Sequence, residues 1–309
     1  MLVRASGSIH PDLFLLTLGY SCHYLIRSGE RFSIFDPGLS AHIPYLIQRI
    51  DKLGISLGKL DYIFLTHLHP DRIGGLPYMR KVAPSLKVAA SPLMRTKLQS
   101  EEFVRALYDK DLLLSEIIKL PGPTEKLDFK EYRDLLSIDK IIVDADLFRF
   151  SEDLNMRVVS FPGHTSESLA YFIQPYHYLI GDEGLGYYSG RKFAAPGGDQ
   201  SLPDMLTSIA KFNDLELAGI CFPNTGVVTG SLVRKHLQAI VQNTEDMLTE
   251  SSNAYMSRTP DSDIKFSIKD AFFTTDINDP LLANNLEQSY MAIWDQVLRE
   301  REKQAKTPL

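Results

Sequence analysis

Ten residues near position 70 constrain this chain more than any other stretch of its 309 residues. They read Thr-His-Leu-His-Pro-Asp-Arg-Ile-Gly-Gly and follow directly on Asp61–Thr66, a short apolar run typical of a buried strand. His67, His69 and Asp71 alternate just past the end of that strand, where their side chains can converge on one point. Imidazole nitrogen is a preferred ligand of zinc and iron. The segment therefore predicts half of a metal site.

A further histidine follows a later strand. His164 lies in the segment Pro162–Ser168, directly after the apolar run Met156–Phe161, and the glycine before it lets the chain bend back over the sheet edge. A single histidine in a turn is usually solvated or capping, but the upstream pair favours a ligand here. Asp182 ends a third strand, Tyr178–Gly181, and taken alone could equally cap a following helix.

The distribution of apolar runs predicts an α/β (α+β) chain with two strand-rich halves. We assign a core to residues 1–230, a helical insertion to residues 91–136, and a helical C-terminal extension to residues 231–309. Two such halves flanked by helices indicate two sheets packed face to face and covered by helices. The other predicted strands are Leu13–Gly19, Cys22–Arg27, Arg31–Asp36, Lys87–Ala90, Lys140–Val143, Leu147–Phe150, Leu169–Ile173 and Leu217–Phe222.

The extension contains two amphipathic segments, Ser231–Ser251 and Leu281–Gln304, joined by a polar stretch. The second carries an apolar stripe whose spacing favours packing on the core, and a partner or substrate pocket is the alternative. The stripe consists of Leu286, Tyr290, Ile293, Trp294 and Leu298.

The composition excludes several classes of protein. A net charge of −6 gives no electrostatic reason to expect nucleic acid or anionic lipid as a partner. Two cysteines, Cys22 and Cys221, are too few for a disulfide framework. The N-terminus lacks an uninterrupted apolar signal-peptide region, and no apolar run approaches the length of a membrane span. We expect a cytoplasmic protein that acts on a small molecule.

Four ordered elements together resemble the metallo-β-lactamase superfamily. They are Asp36-Pro37-Gly38 after an early strand, the His-x-His-x-Asp motif from His67, the turn Gly163-His164, and the strand end Gly181-Asp182. The resemblance runs from about Leu13 to Gly230 and implies an αββα sandwich with its metal site at one edge, between the sheets. The helical extension resembles that of the hydroxyacylglutathione hydrolase and quinolone-signal thioesterase branch, in which such helices cover the mouth of the active site.

Two departures from the family pattern concern the second metal. Arg72 and Thr225 stand where the family carries histidines for that ion, so the second set retains only Asp71 and Asp182. Cys221 is a weak candidate for a substitute ligand. A guanidinium about 4 Å from a dication costs several kcal/mol even at an effective dielectric near 20.

We therefore expect one ion per chain, zinc with iron or manganese as alternatives, on His67, His69 and His164. Asp182 would be a fourth ligand or a hydrogen-bond acceptor for the reactive water. Asp71 would orient that water or accept its proton.

The resemblance implies hydrolysis of an ester, thioester or lactone by a metal-activated water. One alternative is a degenerate, non-catalytic member that binds a ligand or a protein through its C-terminal helices. The other alternative is a flavodiiron-like redox protein, but proteins of that kind require two irons and a flavodoxin domain. The C-terminal helices are also a candidate contact for a homodimer.

Overall fold

Two β-sheets form the centre of the computed structural model, which describes residues 1–19, 21–188, 193–195, 197, 200–256, 262–263, 287–289, 291–296 and 298–299. The strands within these ranges are β1 (Leu2–Val3), β2 (Gly7–His10), β3 (Leu13–Leu18), β4 (Ser21–Ser28), β5 (Arg31–Phe35), β6 (Leu60–Phe64), β7 (Lys87–Ala90), β8 (Lys140–Ile141), β9 (Leu147–Arg149), β10 (Asn155–Ser160), β11 (Leu169–Gln174), β12 (Tyr178–Ile180), β13 (Tyr187–Tyr188), β14 (Phe193–Ala195), β15 (Gly219–Phe222) and β16 (Gly226–Thr229).

The first sheet has the order β2-β3-β4-β5-β6-β7-β8, and the second has the order β1-β16-β15-β12-β11-β10-β9. The first is antiparallel from β2 to β5 and parallel from β5 to β8. In the second, only the β12–β15 pair is parallel among the described strands. A separate hairpin pairs β13 with β14.

Helices cover the outer faces of both sheets, which completes an αββα sandwich. The α-helices of the described ranges are α1 (Ile43–Lys52), α2 (Pro70–Ile73), α3 (Leu76–Val82), α4 (Pro92–Leu98), α5 (Glu101–Ile117), α6 (Phe129–Leu135), α7 (Leu202–Ala210) and α8 (Ser231–Met256). Short 3-10 helices occupy Ser40–His42, Leu57–Lys59 and Glu183–Leu185. None of the described helices is long and apolar enough to span a membrane.

Aromatic side chains join the two sheets. The rings of Phe35 (β5) and Phe64 (β6) lie 5.2 and 5.8 Å from that of Tyr171 (β11), centroid to centroid. The buried Tyr24 hydroxyl of β4 donates to the carbonyls of Phe222, at 2.7 Å, and Gly226, at 3.0 Å, in the second sheet. Each buried aromatic pair contributes about 0.5–1.5 kcal/mol beyond its area. These contacts fix the strand ends of one sheet against those of the other.

Besides the core between the two sheets, an apolar cluster lies between the second sheet and helices α7 and α8. Ile293 and Trp294, from the C-terminal segment, are buried in it. Gln296 accepts a hydrogen bond from the Leu202 amide at 3.0 Å, which ties this segment to the start of α7. Leu286 and Tyr290 of the predicted stripe lie outside the described residues.

Local patterns located most strands but not every partner. The strand Lys87–Ala90 has the bounds expected from its sequence, and α8 extends past the expected end at Ser251 to Met256. The predicted insertion, residues 91–136, contains the three helices α4, α5 and α6. Strand β16 was not predicted, because its four residues pair with β1 from the opposite end of the chain.

Candidate metal centre

The two sheets bring three histidines together at one edge of the sandwich. The Leu169 amide of β11 donates to the Thr66 carbonyl at the end of β6 with an N–O distance of 2.8 Å. His67 and His69 follow that junction on one side, and His164 precedes it on the other. One nitrogen from each of these three side chains lies within 4.8 Å of the other two. We call His67, His69 and His164 the histidine cluster.

The hydrogen bond between Nδ1 of His67 and the Thr66 hydroxyl fixes the tautomer of His67. The Thr66 hydroxyl donates to Oδ2 of Asp36 at 2.6 Å, so its oxygen accepts from Nδ1–H of His67 at 3.0 Å. Asp36 is itself held by the Thr66 amide, which donates to Oδ1 at 2.8 Å. Nε2 of His67 therefore carries a lone pair, and this buried atom makes no hydrogen bond among the described residues. A histidine anchored in this way is prepared to bind a metal.

His164 is anchored by its backbone turn and by Nδ1, which donates to the Gly197 carbonyl at 2.6 Å. Gly163 adopts φ 143°, in the region that favours glycine, and an added Cβ would lie 2.5 Å from Cα of Met205. Only glycine fits there. Nε2 of His164 consequently faces the cluster, 3.0 Å from Nδ1 of His69.

Burial keeps His67 uncharged. His67 is fully buried, and its pKa is lowered well below the usual value, first by burial and then by the charges of His69 and His164. Burial raises the pKa of the Asp182 carboxyl to about 7, against the opposing influence of His164. Oδ1 of Asp182 accepts from the Gly184 amide at 2.8 Å, whereas Oδ2 makes no hydrogen bond within the described ranges.

Arg72 lies beside the histidines and is completely buried. Its Nη2 donates to Oδ2 of Asp71 at 2.8 Å, Oδ1 of Asn224 at 2.9 Å and Oε1 of Glu183 at 3.0 Å, and its Nη1 donates to the Pro223 carbonyl at 3.1 Å. Asn224 also donates to Oε1 of Glu183 at 3.1 Å. We call Arg72, Asp71, Glu183 and Asn224 the Arg72 cluster.

Glu183 connects the two clusters. While Oε1 is held by the Arg72 cluster, Oε2 lies 3.3 Å from Nε2 of His164 and 3.6 Å from Nε2 of His67. Oε2 is buried and makes no hydrogen bond in the part of the chain that the structure describes. A carboxylate oxygen therefore completes the wall of the histidine cluster.

The residues present fit a divalent metal. The inward nitrogens of the buried His67 and His164 converge with a buried carboxylate oxygen, and a cation between such acceptors makes their close approach favourable. Three nitrogens with space for a further ligand form the pattern of a catalytic zinc site.

The other candidate positions of the sequence lie close by without joining the donor group. Thr225 is buried in the turn just before β16, and its hydroxyl has no hydrogen-bond partner among the described residues. Cys221 is buried inside β15, and burial raises the pKa of its thiol far above the usual value. Among the described residues, the group of potential ligands consists of His67, His69 and His164.

A cavity of about 240 Å³ opens onto the histidine cluster. Asp71, Glu183 and Tyr187 contribute to its wall near the metal site, and Lys110 and Leu113 lie on the α5 side. The C-terminal segment closes another side through Gln288, Ser289 and Ala292.

Residues 17–168 match the family model of the metallo-β-lactamase superfamily. Over these residues the chain is similar to proteins of this superfamily. It is 26% identical to the metallo-β-lactamase fold-containing protein ST1585 of Sulfurisphaera tokodaii over 61% of this chain and 69% of that protein. It is also 26% identical to glyoxylase B2 of Dictyostelium discoideum, over 40% of this chain and 35% of that one.

Solved structures of the superfamily share the fold. The crystal structure of ST1585 covers 93% of this chain and 98% of its own length, with a TM-score of 0.60 and 18% identity. That of the metallo-β-lactamase family protein TTHA1429 of Thermus thermophilus covers 96% and 95%, with a TM-score of 0.63 and 17% identity. At this identity the likeness establishes the fold alone.

The sequence analysis missed two residues of this site, Glu183 and Asn224. The signal that could have revealed them is Arg72 itself, because a guanidinium in a buried motif requires buried acceptors. Glu183, which follows the apolar strand β12 in the segment Gly181-Asp182-Glu183-Gly184, was the acidic residue to consider.

Proposed function

We propose that this protein is a metal-dependent hydrolase that cleaves a small ester, thioester or lactone at a mononuclear site. The observation that carries the proposal is the histidine cluster beside a cavity, with one nitrogen of each histidine within 4.8 Å of the other two. His67, His69 and His164 would hold one transition-metal ion, with zinc first and iron or manganese as alternatives. When bound, such an ion polarises a carbonyl and lowers the pKa of a water molecule toward about 7.

The protein's own groups would position the reactants. Oδ2 of Asp71 is held by Arg72, and Asp71 contributes to the cavity wall. We assign it the orientation of the attacking water and acceptance of its proton. Asp182 would be a further carboxylate at the cluster, as fourth ligand or as an acceptor for the water. The apolar side of the cavity, which includes Leu113, would hold the acyl group and exclude bulk water.

The first test is hydrolysis by protein freed of metal and then supplied with one equivalent of zinc, using a thioester, an aryl ester and a lactone in parallel. Lewis-acid stabilisation is worth several kcal/mol, so metal removal should lower kcat/KM at least about 1000-fold for the preferred class. His164→Ala should do the same. His177→Ala, outside both clusters, should leave kcat/KM unchanged. Full activity without metal would refute the proposal.

Elemental analysis of protein purified without added metal tests the stoichiometry. We expect one ion per chain, because the guanidinium of Arg72 fills the space beside the cluster with positive charge. Two ions per chain would show that Arg72 leaves its position when metal binds.

The Arg72 cluster also favours a second candidate, a non-catalytic member that retains one metal and binds a small molecule. Its signature would be stoichiometric metal and ligand binding without turnover of any of the three substrate classes.

A further inference from the structure

We infer that helix α5 sets the substrate preference of the cavity, and that Lys110 on this helix binds a carboxylate at the far end of the substrate's acyl chain. The inference rests on the proposed hydrolase and deepens it by naming the chemical class of the substrate, a short acyl compound with a negative charge remote from the bond that is cleaved. Helix α5 lies between β7 and β8, within the predicted insertion, and carries none of the residues assigned to the metal chemistry.

A buried aspartate fixes α5 against the metal-binding motif. Oδ1 of Asp111 accepts from the Ser40 amide at 2.9 Å, and the Asp111 side chain is buried. Gly74, directly after α2, makes room for this carboxylate, because an added Cβ would lie 2.1 Å from Oδ1 of Asp111. Since α2 contains Asp71 and Arg72, this contact holds α5 beside the metal site. A ligand-binding surface on such a supported helix is preorganised.

The part of α5 that lines the cavity combines an apolar and a cationic side chain. Lys110 and Leu113 both contribute to the cavity wall, and their spacing of three residues places them on the same side of the helix. Leu113 is 56% exposed, although it is a large apolar residue. A bound acyl chain would cover Leu113 and bring a terminal carboxylate to Lys110. This pairing is the reason to place the charge on the acyl group rather than on the leaving group.

The charges around the cavity favour an anion. The carboxylates of Asp71 and Glu183 are both bound by Arg72, at 2.8 and 3.0 Å. Among the described residues Lys110 forms no ion pair, so its ammonium is available to a ligand. With a divalent metal on the histidine cluster, the positive charges of the site exceed the negative ones. A negatively charged substrate is therefore attracted to the cavity.

The size of the cavity limits the length of the acyl chain. Its volume of about 240 Å³ lies below the range of about 300–1,000 Å³ that is typical of sites for drug-sized ligands. A substrate that reaches both the histidine cluster and Lys110 is therefore short. The glutaryl group, a dicarboxylic acid joined through one of its ends, has the required apolar middle and anionic terminus.

The experiment compares the thioesters that glutaric acid and pentanoic acid form with N-acetylcysteamine, which differ in whether the acyl chain ends in a carboxylate or a methyl group. Zinc-loaded wild type should show a kcat/KM about 10-fold higher for the glutaryl compound, between the effect of an exposed ion pair and that of a buried one. Lys110→Gln should abolish this preference and Lys110→Glu should invert it. The change should appear in KM, because Lys110 binds a group remote from the reacting bond. Lys130→Glu, at an exposed position of α6, changes the net charge equally and should keep the preference.

A second pair of thioesters places the charge on the leaving group. It consists of the acetyl thioesters of mercaptopropionate and of propanethiol. A preference for the anionic compound that depends on Lys110 in this pair, and not in the glutaryl pair, would overturn the assignment of the carboxylate to the acyl group.

Equilibrium binding separates failure of this inference from failure of the proposed function. Calorimetric titration with glutarate and with pentanoate, the acids released from the first pair, requires no turnover. Glutarate should bind wild type about 10-fold more tightly, and Lys110→Gln should remove the difference. Hydrolysis with equal kcat/KM for the first pair, or equal binding of the two acids, would overturn the inference and leave the hydrolase standing. Glutarate binding that depends on Lys110, without hydrolysis of any ester, thioester or lactone, would instead overturn the hydrolase and keep the carboxylate site.

Discussion

The histidine cluster and the Arg72 cluster differ in how their buried polar groups find partners. In the histidine cluster, the outer nitrogens of His67 and His164 are satisfied and the inner ones are directed at one another. In the Arg72 cluster, a single guanidinium reaches three side-chain acceptors and one carbonyl. One half is prepared for an external cation, and the other contains a cation of its own.

When a second metal site lacks a histidine ligand, a charged side chain can occupy the place of the ion. Where the family carries a histidine for another ion, this chain has Arg72, whose charge is already compensated by Asp71 and Glu183. The neighbouring cluster instead brings one nitrogen of each of its three histidines together. The contrast predicts that the Arg72 cluster stabilises the fold without metal, whereas the histidine cluster acts only with it.

The largest effect should follow from removing the internal cation. Arg72→Met keeps much of the side-chain volume but leaves Asp71 and Glu183 buried without their partner. Removing one member of a buried pair typically costs about 3–5 kcal/mol. We expect the free energy of unfolding of the metal-free protein to fall by that amount, measured by denaturant titration.

The matched control is Arg27→Met. Arg27 also binds an aspartate, Asp12, at 2.7 Å, but its side chain is 43% exposed. An exposed pair contributes about 0–1 kcal/mol. If both variants lose the same free energy of unfolding, burial does not increase the contribution of the Arg72 ion pairs to stability.

How much of this site could be predicted depended on distance along the chain. His67, His69 and His164 were located because each follows a short apolar strand, a signal contained in a few neighbouring residues. The Arg72–Glu183 contact spans 111 residues, and no local pattern pairs them. The local sequence pattern assigned Asp182 to the metal site but gave no reason to consider Glu183.

The fold shows the same limit. The positions of most strands along the chain could be inferred from apolar runs and turns, and the resemblance implied the sandwich. The pairing of β1 with β16 could not be inferred, because the paired residues Leu2 and Val228 lie near opposite ends of the core sequence and no local pattern connects them.

A smaller effect should follow from loosening the anchor of the histidine cluster. Thr66→Val removes the hydroxyl that accepts from His67 and donates to Asp36, but changes the volume little. Outer partners of metal-binding histidines contribute about 10- to 100-fold to affinity. We expect zinc affinity, measured by chelator competition, to fall within that range while the one-to-one stoichiometry remains.

Thr244→Val provides the comparison for that variant. Thr244 is equally buried, and its hydroxyl donates to the Ile240 carbonyl at 2.7 Å within α8. It should lower stability slightly and leave zinc affinity unchanged. If both variants weaken zinc binding equally, the effect of Thr66→Val arises from general loosening of the fold.

The last prediction concerns pH and His42, which packs beside His23 with ring centroids 5.7 Å apart, next to the Gly38 turn whose amide donates to the Arg72 carbonyl. Burial, the charges of His23 and Arg72, and the opposing charge of Asp71 together lower the pKa of His42 to about 3 from its ordinary 6.5. Between these values the unfolded chain binds a proton that the native protein does not, so stability falls as pH falls from 6.5. The slope is at most about 1.4 kcal/mol per pH unit for one group. His42→Gln should flatten the dependence of unfolding free energy on pH by that amount between pH 6.5 and 4, with no change of slope above pH 7.5. An unchanged slope below pH 6.5 would mean that His42 is protonated in the native protein, and that the Arg72 side of the site accepts a second internal cation.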